Sequence, residues 1–145
     1  MLERTNRAFA SRLRVFRKKV THADLTNAVN GTAQAIAIGT LPAGAVVQAR
    51  AVKLTTFFTG GGATTCTMAI GVSGTAAKFM TALNVLDTTT TAVWLQGTAG
   101  SSPLGPAGGD AIIATFTPDA GHTLDGLTAG EIDVEIYYSV PDAGA

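Results

Sequence analysis

Few side chains in this sequence could make or break bonds, and their spacing does not bring them together. His22 and His122 are the only histidines, and a metal-binding or general-base role would require the fold to pair residues far apart in the chain. Their local settings point to plainer roles. His122 stands in a turn that opens at Asp119 and would support it, and His22 falls on a strand face or a subunit contact. Cys66 is the single cysteine, which excludes an intrachain disulfide and a cysteine-based zinc site. Its surroundings, Thr65 to Ile70, read as a strand with the thiol packed inside as a small hydrophobe. Gly39-Thr40-Leu41-Pro42-Ala43-Gly44 has the glycine spacing that opens a phosphate loop, but Ala45 and Val46 stand where a lysine and a hydroxyl would be needed. Gly60-Gly61-Gly62 has no helix after it to hold an anion and reads as a hairpin tip. Glu131, Asp133 and Glu135 alternate along one strand face, a pattern unlike the turn-rich loops that bind calcium; it suits a solvated face or a docking surface for a basic arm. No nucleophile elbow or serine triad pattern is present. The expectation is a chain with no catalytic residues, no metal site and no cofactor.

One group of residues does carry functional weight. Residues 1 to 20 hold Arg4, Arg7, Arg12, Arg14, Arg17, Lys18 and Lys19 against Glu3 alone, a net charge of +6, while the rest of the chain has three cations and nine acids, a net charge of −6. Such a split describes a basic arm joined to an acidic body. Phe9, Leu13 and Phe16 are interleaved with the cations, so docking into a protein groove is favoured over binding to bare phosphates, with nucleic acid as the alternative destination. The apolar positions Leu2, Phe9, Leu13, Phe16 and Val20 lie near helical spacing. An extended arm that orders on its partner fits the segment equally well.

From residue 21 to 145 the chain reads as one β-domain. Short β-branched runs alternate with clusters of Gly, Pro, Asn and Asp, the signature of a sandwich or barrel. Asn30-Gly31 predicts a tight hairpin joining strands at 20–29 and 32–39. Further strands are expected at 45–58, with a bulge, and at 64–72, 78–86, 92–96, 111–117 and 131–139. The last has the cleanest pattern, with Ile132, Val134, Ile136 and Tyr138 opposed to Glu131, Asp133, Glu135 and Tyr137. The glycine- and proline-rich stretch 97–110 is expected to be an exposed loop unable to sustain a ladder. The fold class is all-β: a single sandwich, jelly-roll-like in strand number.

Charged residues make up only 14% of the chain, against about 25% in ordinary soluble domains. A surface so poor in charge implies a homo-oligomer that covers much of its exterior with neighbouring copies. The sequence has no secretory signal and no stretch that could span a bilayer, so no membrane partner is expected and the chain is expected to be made in a cytoplasm.

The runs Leu41–Val47, Thr56–Thr65 and Ala69–Gly74, with Phe116–Leu124 and Leu127–Val134, resemble small structural proteins of tailed bacteriophages and prophages of the capsid decoration, or cement, type. The resemblance extends over residues 33 to 139 and rests on turns and strands, with no active-site residues to carry over. It implies a β-sandwich virion component on the phage head surface, a homotrimer that stabilises the shell by binding the major capsid protein. The basic arm lies outside the resemblance, and its role as a fastener comes from charge alone. A neck, tail or head-fibre component is the alternative within the structural class. A host- or carbohydrate-binding module using Trp94 beside loop 97–110 is the alternative outside it.

Overall fold

The alternation that predicts the final strand extends further toward the N-terminus than expected, and that strand organises the fold. The structure, a computed structural model, describes residues 13–86, 94–95, 100, 105–106 and 110–140, the two short pairs by their backbone alone. The strands are β1 (Arg14–Thr21), β2 (Gln34–Thr40), β3 (Val46–Gly60), β4 (Cys66–Val72), β5 (Thr75–Asn84), β6 (Trp94–Leu95), β7 (Gly105–Pro106), β8 (Ala111–Pro118) and β9 (Leu127–Ser139). In β9 Ile132, Val134 and Ile136 are fully buried, and the acids and Tyr137 alternate with them on the outer face.

The first sheet has the order β1-β9-β3-β6 with β7 also on β3, and the second has the order β2-β8-β4-β5. All pairings are antiparallel. They are also nested. β1 pairs with β9, β2 with β8, β3 with β6 and β7, and β4 with β5, every pair centred within a few residues of the Ser73–Gly74 turn. The chain is therefore one long hairpin rolled up so that β3 also meets β9 and β4 also meets β8. That winding is a jelly roll, and it closes one core between two sheets. Phe58 of β3 and Phe116 of β8 meet there with ring centroids 5.8 Å apart. Phe79, Met68, Ile70 and Leu54 are fully buried around them.

The all-β sandwich expected from the sequence is the observed architecture, but three local expectations are corrected. No strand covers residues 25–29. The Asp24 carboxylate accepts hydrogen bonds from the Thr21 N–H (2.8 Å) and hydroxyl (3.2 Å), ending β1 in a single 3-10 turn, His22–Asp24. Beyond it side-chain amides take the place of a ladder: the Thr26 and Asn27 N–H groups donate to Gln34 Oε1, and Gln34 Nε2 donates to the Asp24 carbonyl. Asn30-Gly31 does turn the chain, with Gly31 at φ +66°, yet the strands on either side of it enter different sheets. Gly60-Gly61-Gly62, all at positive φ, is likewise an inter-sheet corner and not a hairpin tip, because β3 pairs with β9 while β4 pairs with β8. The third correction lies in the stretch 97–110, where Gly105–Pro106 bridges to Val46–Val47. A proline is tolerated there because the bridge lies at a sheet edge.

Candidate interaction surface

The basic segment is divided by the fold. Residues 14–21 form β1 along the edge of the first sheet, Leu13 lies just ahead of it, and Arg4, Arg7, Phe9 and Arg12 lie outside the described residues. β1 is extended because it pairs in register with β9, from Arg14 opposite Tyr138 to Thr21 opposite Glu131. That register puts Val15, Arg17, Lys19 and Thr21 on the outer face beside the acids of β9. Arg17 Nε lies 3.1 Å from Glu135 Oε1, and Lys19 Nζ lies 3.1 Å from Glu131 Oε1. The acidic face of β9 thus already receives basic side chains from the same chain.

Further hydrogen bonds fix these acids. The Thr55 hydroxyl donates to Glu131 Oε2 at 2.8 Å, and the Tyr137 hydroxyl donates to Glu135. Bonding to Thr55, then to Lys19, holds the Glu131 carboxyl below its ordinary value, and Glu131 in turn raises the Lys19 ammonium. The Tyr137 phenol is raised, chiefly by its bond to Glu135. The groove over this stretch is open and lined by Arg17, Lys18, Lys19, Asp133, Val134 and Glu135. Opposite charges meet along it, which makes it a register device for β1 more than a receptor for a charged ligand.

The other side of β1 is arranged differently. Val20 is fully buried, and Phe16 stacks on Tyr138 with ring centroids 4.9 Å apart. Phe16 also closes the flank between the sheets, because it lies against Gly39 of β2, where a Cβ would come within 2.9 Å of its ring. Arg14 and Lys18 share this face, are exposed, and have no side-chain hydrogen bond or ion pair with a described residue. Leu13 (55% exposed) and Val15 (36%) are two of the three exposed large hydrophobic residues described. Among the described residues no strand pairs with the far edge of β1.

The remaining chemistry-bearing residues serve the fold. His122 Nδ1 contacts the Asp119 carboxylate, which also accepts from the Thr64 N–H (2.7 Å), the Thr64 hydroxyl (3.1 Å) and the Thr65 N–H (3.3 Å). These bonds, led by the one to His122, depress the Asp119 pKa, and they tie the β8–β9 turn to the corner before β4. Sequence reading named the turn but missed the carboxylate that holds it; Pro118-Asp119 after a strand was the available signal. His22 lies in the 3-10 turn. Cys66 is buried, and burial pushes its thiol up to about 12. Among the described residues no three His, Cys, Asp or Glu side chains group as metal ligands would, and no helix is long and apolar enough to cross a membrane. The side chain of Trp94 lies outside the described residues.

The outer face of the second sheet completes the surface. Cys66, Met68 and Ile70 are fully buried, so Thr67 and Ala69 between them face outward. Register places Thr117, Thr115 and Ile113 of β8 beside them, and Ala35 and Ala37 of β2 beyond. No charged side chain stands on this part of the sheet.

No protein-family model matches the sequence, and no curated protein matches it. Solved structures do. A chain of the cyanophage Pam1 capsid asymmetric unit is similar with a TM-score of 0.62 at 19% identity, over 89% of this chain and 85% of that one. A chain of the acidic stable capsid structure of Helicobacter pylori bacteriophage KHP30 is similar with a TM-score of 0.54 at 10% identity, over 90% of this chain and 89% of that one. What is shared is the fold.

Proposed function

We propose that the chain is a non-enzymatic structural component of a tailed-phage virion, a decoration or cement protein that binds the major capsid protein on the head surface and so stabilises the shell. The observation that carries this reading is the likeness of nearly the whole jelly roll to chains from two phage capsids. The sequence resemblance to decoration proteins, found on turns and strands and independent of those structures, supports the finer role. The body is a homo-oligomer, with a trimer favoured. Low charge overall and the uncharged outer face across β2, β8 and β4 support self-association, since such a face can meet a second copy without burying an unpaired charge. The basic segment, residues 1 to 20, is the fastener to the shell. Its described members without a side-chain partner are Arg14 and Lys18, with exposed Leu13 just ahead of them; Arg4, Arg7 and Arg12 belong to it by sequence.

The test is occupancy on phage heads that lack the protein. The truncation must stop before Leu13, because β1 supplies the buried Val20 and pairs with β9 along its length. The full chain is expected to bind heads saturably and to have a trimer's mass in solution. The chain beginning at Leu13 is expected to keep that mass and lose occupancy. Unchanged occupancy of the truncated chain would remove the fastening role, and failure of the full chain to bind any head would remove the decoration reading.

A further inference from the structure

We infer that the edge of β1 that no described strand pairs with is a docking site for an extended acidic segment of another protein, recognised by the pattern acid-x-apolar-x-acid. The inference concerns how this edge reads a partner and stands whether or not that partner belongs to a capsid.

An edge strand offers a row of backbone N–H and C=O groups to any chain that can lie alongside it. Charge decides which chain that is. β1 contains Arg14, Arg17, Lys18 and Lys19 and no acid. A second copy of β1 would set cations against cations, which disfavours edge-to-edge pairing. The chain's own residues 1–12 carry Arg4, Arg7 and Arg12 against Glu3, so they are poor occupants for the same reason. An acidic strand is complementary, and β9 on the opposite edge already shows the principle, with Glu131, Asp133 and Glu135 beside Arg17 and Lys19.

Spacing sharpens the partner further. Arg17 and Lys19 are engaged on the outer face, whereas Arg14 and Lys18 stand on the inner face with no described partner. Partly buried Phe16 lies between them. Residues of an added strand that fall opposite 14, 16 and 18 project to that same face. They would be an acid, an apolar residue packing on Phe16, and a second acid. The pattern reads the same in both directions, so it holds for parallel and antiparallel addition. The intervening positions meet Val15 and the already paired Arg17, where small neutral β-formers such as threonine fit best.

The experiment uses the full chain and two labelled nine-residue peptides of one composition. Both are threonine with Val at the fifth position. The first has Glu at positions three and seven, and the second has Glu at four and six, where at most one acid can face Arg14 or Lys18 once Val is turned away from Phe16. Binding is read by fluorescence anisotropy, and the site is read by amide hydrogen exchange. The first peptide is expected to bind about tenfold more tightly than the second and to slow exchange in β1. The double variant R14E/K18E is expected to lose that peptide and to bind its Lys-for-Glu counterpart. Equal binding of the two Glu peptides would reduce the effect to bulk attraction and overturn the pattern. Absence of binding, binding without slowed exchange in β1, or a peptide-free chain whose β1 edge is already protected by its own residues 1–12 or by a second copy would overturn the site.

Discussion

The outer faces of the two sheets are built from opposite materials. On the first, Arg17, Lys19, Lys53, Glu131, Asp133, Glu135 and Tyr137 stand side by side across β1, β9 and β3. On the second, across β2, β8 and β4, the same positions hold Ala35, Ala37, Ile113, Thr115, Thr117, Thr67 and Ala69. The shortage of charge seen in the composition is therefore local. A face carrying cross-strand ion pairs fixes register and stays wet, because its charges are costly to desolvate. A face of small uncharged side chains is cheap to cover and imposes no charge requirement on its neighbour. The two sheets share a core but are suited to different surroundings.

The most forceful way to break the comparison is to place the same charge on each face. Ala69 lies opposite Thr115, with no acid near it, and Ala51 lies opposite Glu135. If the uncharged face meets a second copy, Ala69→Lys buries an unpaired ammonium at a cost of about 3–5 kcal/mol, a loss in association of more than about 100-fold. Ala51→Lys is expected to leave association unchanged, because Glu135 is beside it. Sedimentation across a concentration series distinguishes the two. Equal behaviour of both variants would mean that the uncharged face is not the contact between copies.

A smaller effect is expected where the two sheets meet at their β1 and β2 edges. Gly39 belongs to the second sheet, and its missing Cβ makes room for Phe16 of the first. Gly39→Ala must displace the ring from Tyr138 or push β2 aside, an overpacking cost of about 1–3 kcal/mol. The midpoint of urea unfolding should fall accordingly, with exchange in β1 speeding up more than exchange in β4. A variant as stable as the natural chain would show that Phe16 is not confined there.

These particulars also show how far the sequence could be read. β9 was legible because its alternation is long and one face is apolar, and β3, β4 and β8 were legible for the same reason. The corners were legible as corners, but not as connections between sheets. Asn30-Gly31 and Gly60-Gly61-Gly62 reverse the chain, and nothing local records whether the next strand returns beside the last one or crosses to the other layer. β1 reads as part of an arm because residues 1–20 carry seven cations against one acid, ahead of an acidic body. Pairing with β9, far along the chain, makes a strand of it, through the acids on one face and the Phe16–Tyr138 and Val20 contacts on the other. That complementarity was visible as a docking surface for a basic arm, but the partner in the same chain was not, since pairing over such a separation leaves no local trace. Leu13, Arg14 and Lys18 read as interacting residues together with Phe16, Arg17 and Lys19; only register divides those without a described partner from those engaged within the fold.

The mildest test of the contrast between the faces is their response to pH. Glu131 is held below the ordinary glutamate value of 4.5, first by the Thr55 hydroxyl and then by Lys19. A carboxylate depressed in this way adds stability that is complete above its ordinary value and is lost as pH falls through the lower, folded value. Lys19 is raised above 10.5 by Glu131, so its share is complete below the ordinary lysine value and is lost as pH rises through the higher, folded value. The β1–β9 contact should therefore be strongest between those limits and weaken on both sides. The effect is small, because the side chains are exposed and salt screens them. Ala69 opposite Thr115 and Thr67 opposite Thr117 include no titrating group. Acid does reach their end of the sheet through Asp119, which is also depressed and holds Thr64 and Thr65, so the comparison is best made in a chain carrying Asp119→Asn. In that background, amide protection factors for Lys18–Val20 are expected to fall at both extremes of pH while those of Ala69 and Thr115 stay level. Lys19→Gln should shrink the alkaline limb to the share of Tyr137, whose phenol is raised by its bond to Glu135, and leave the acid limb that Thr55 maintains. Parallel loss in both sheets would show that pH acts on the shared core and not on the charged face.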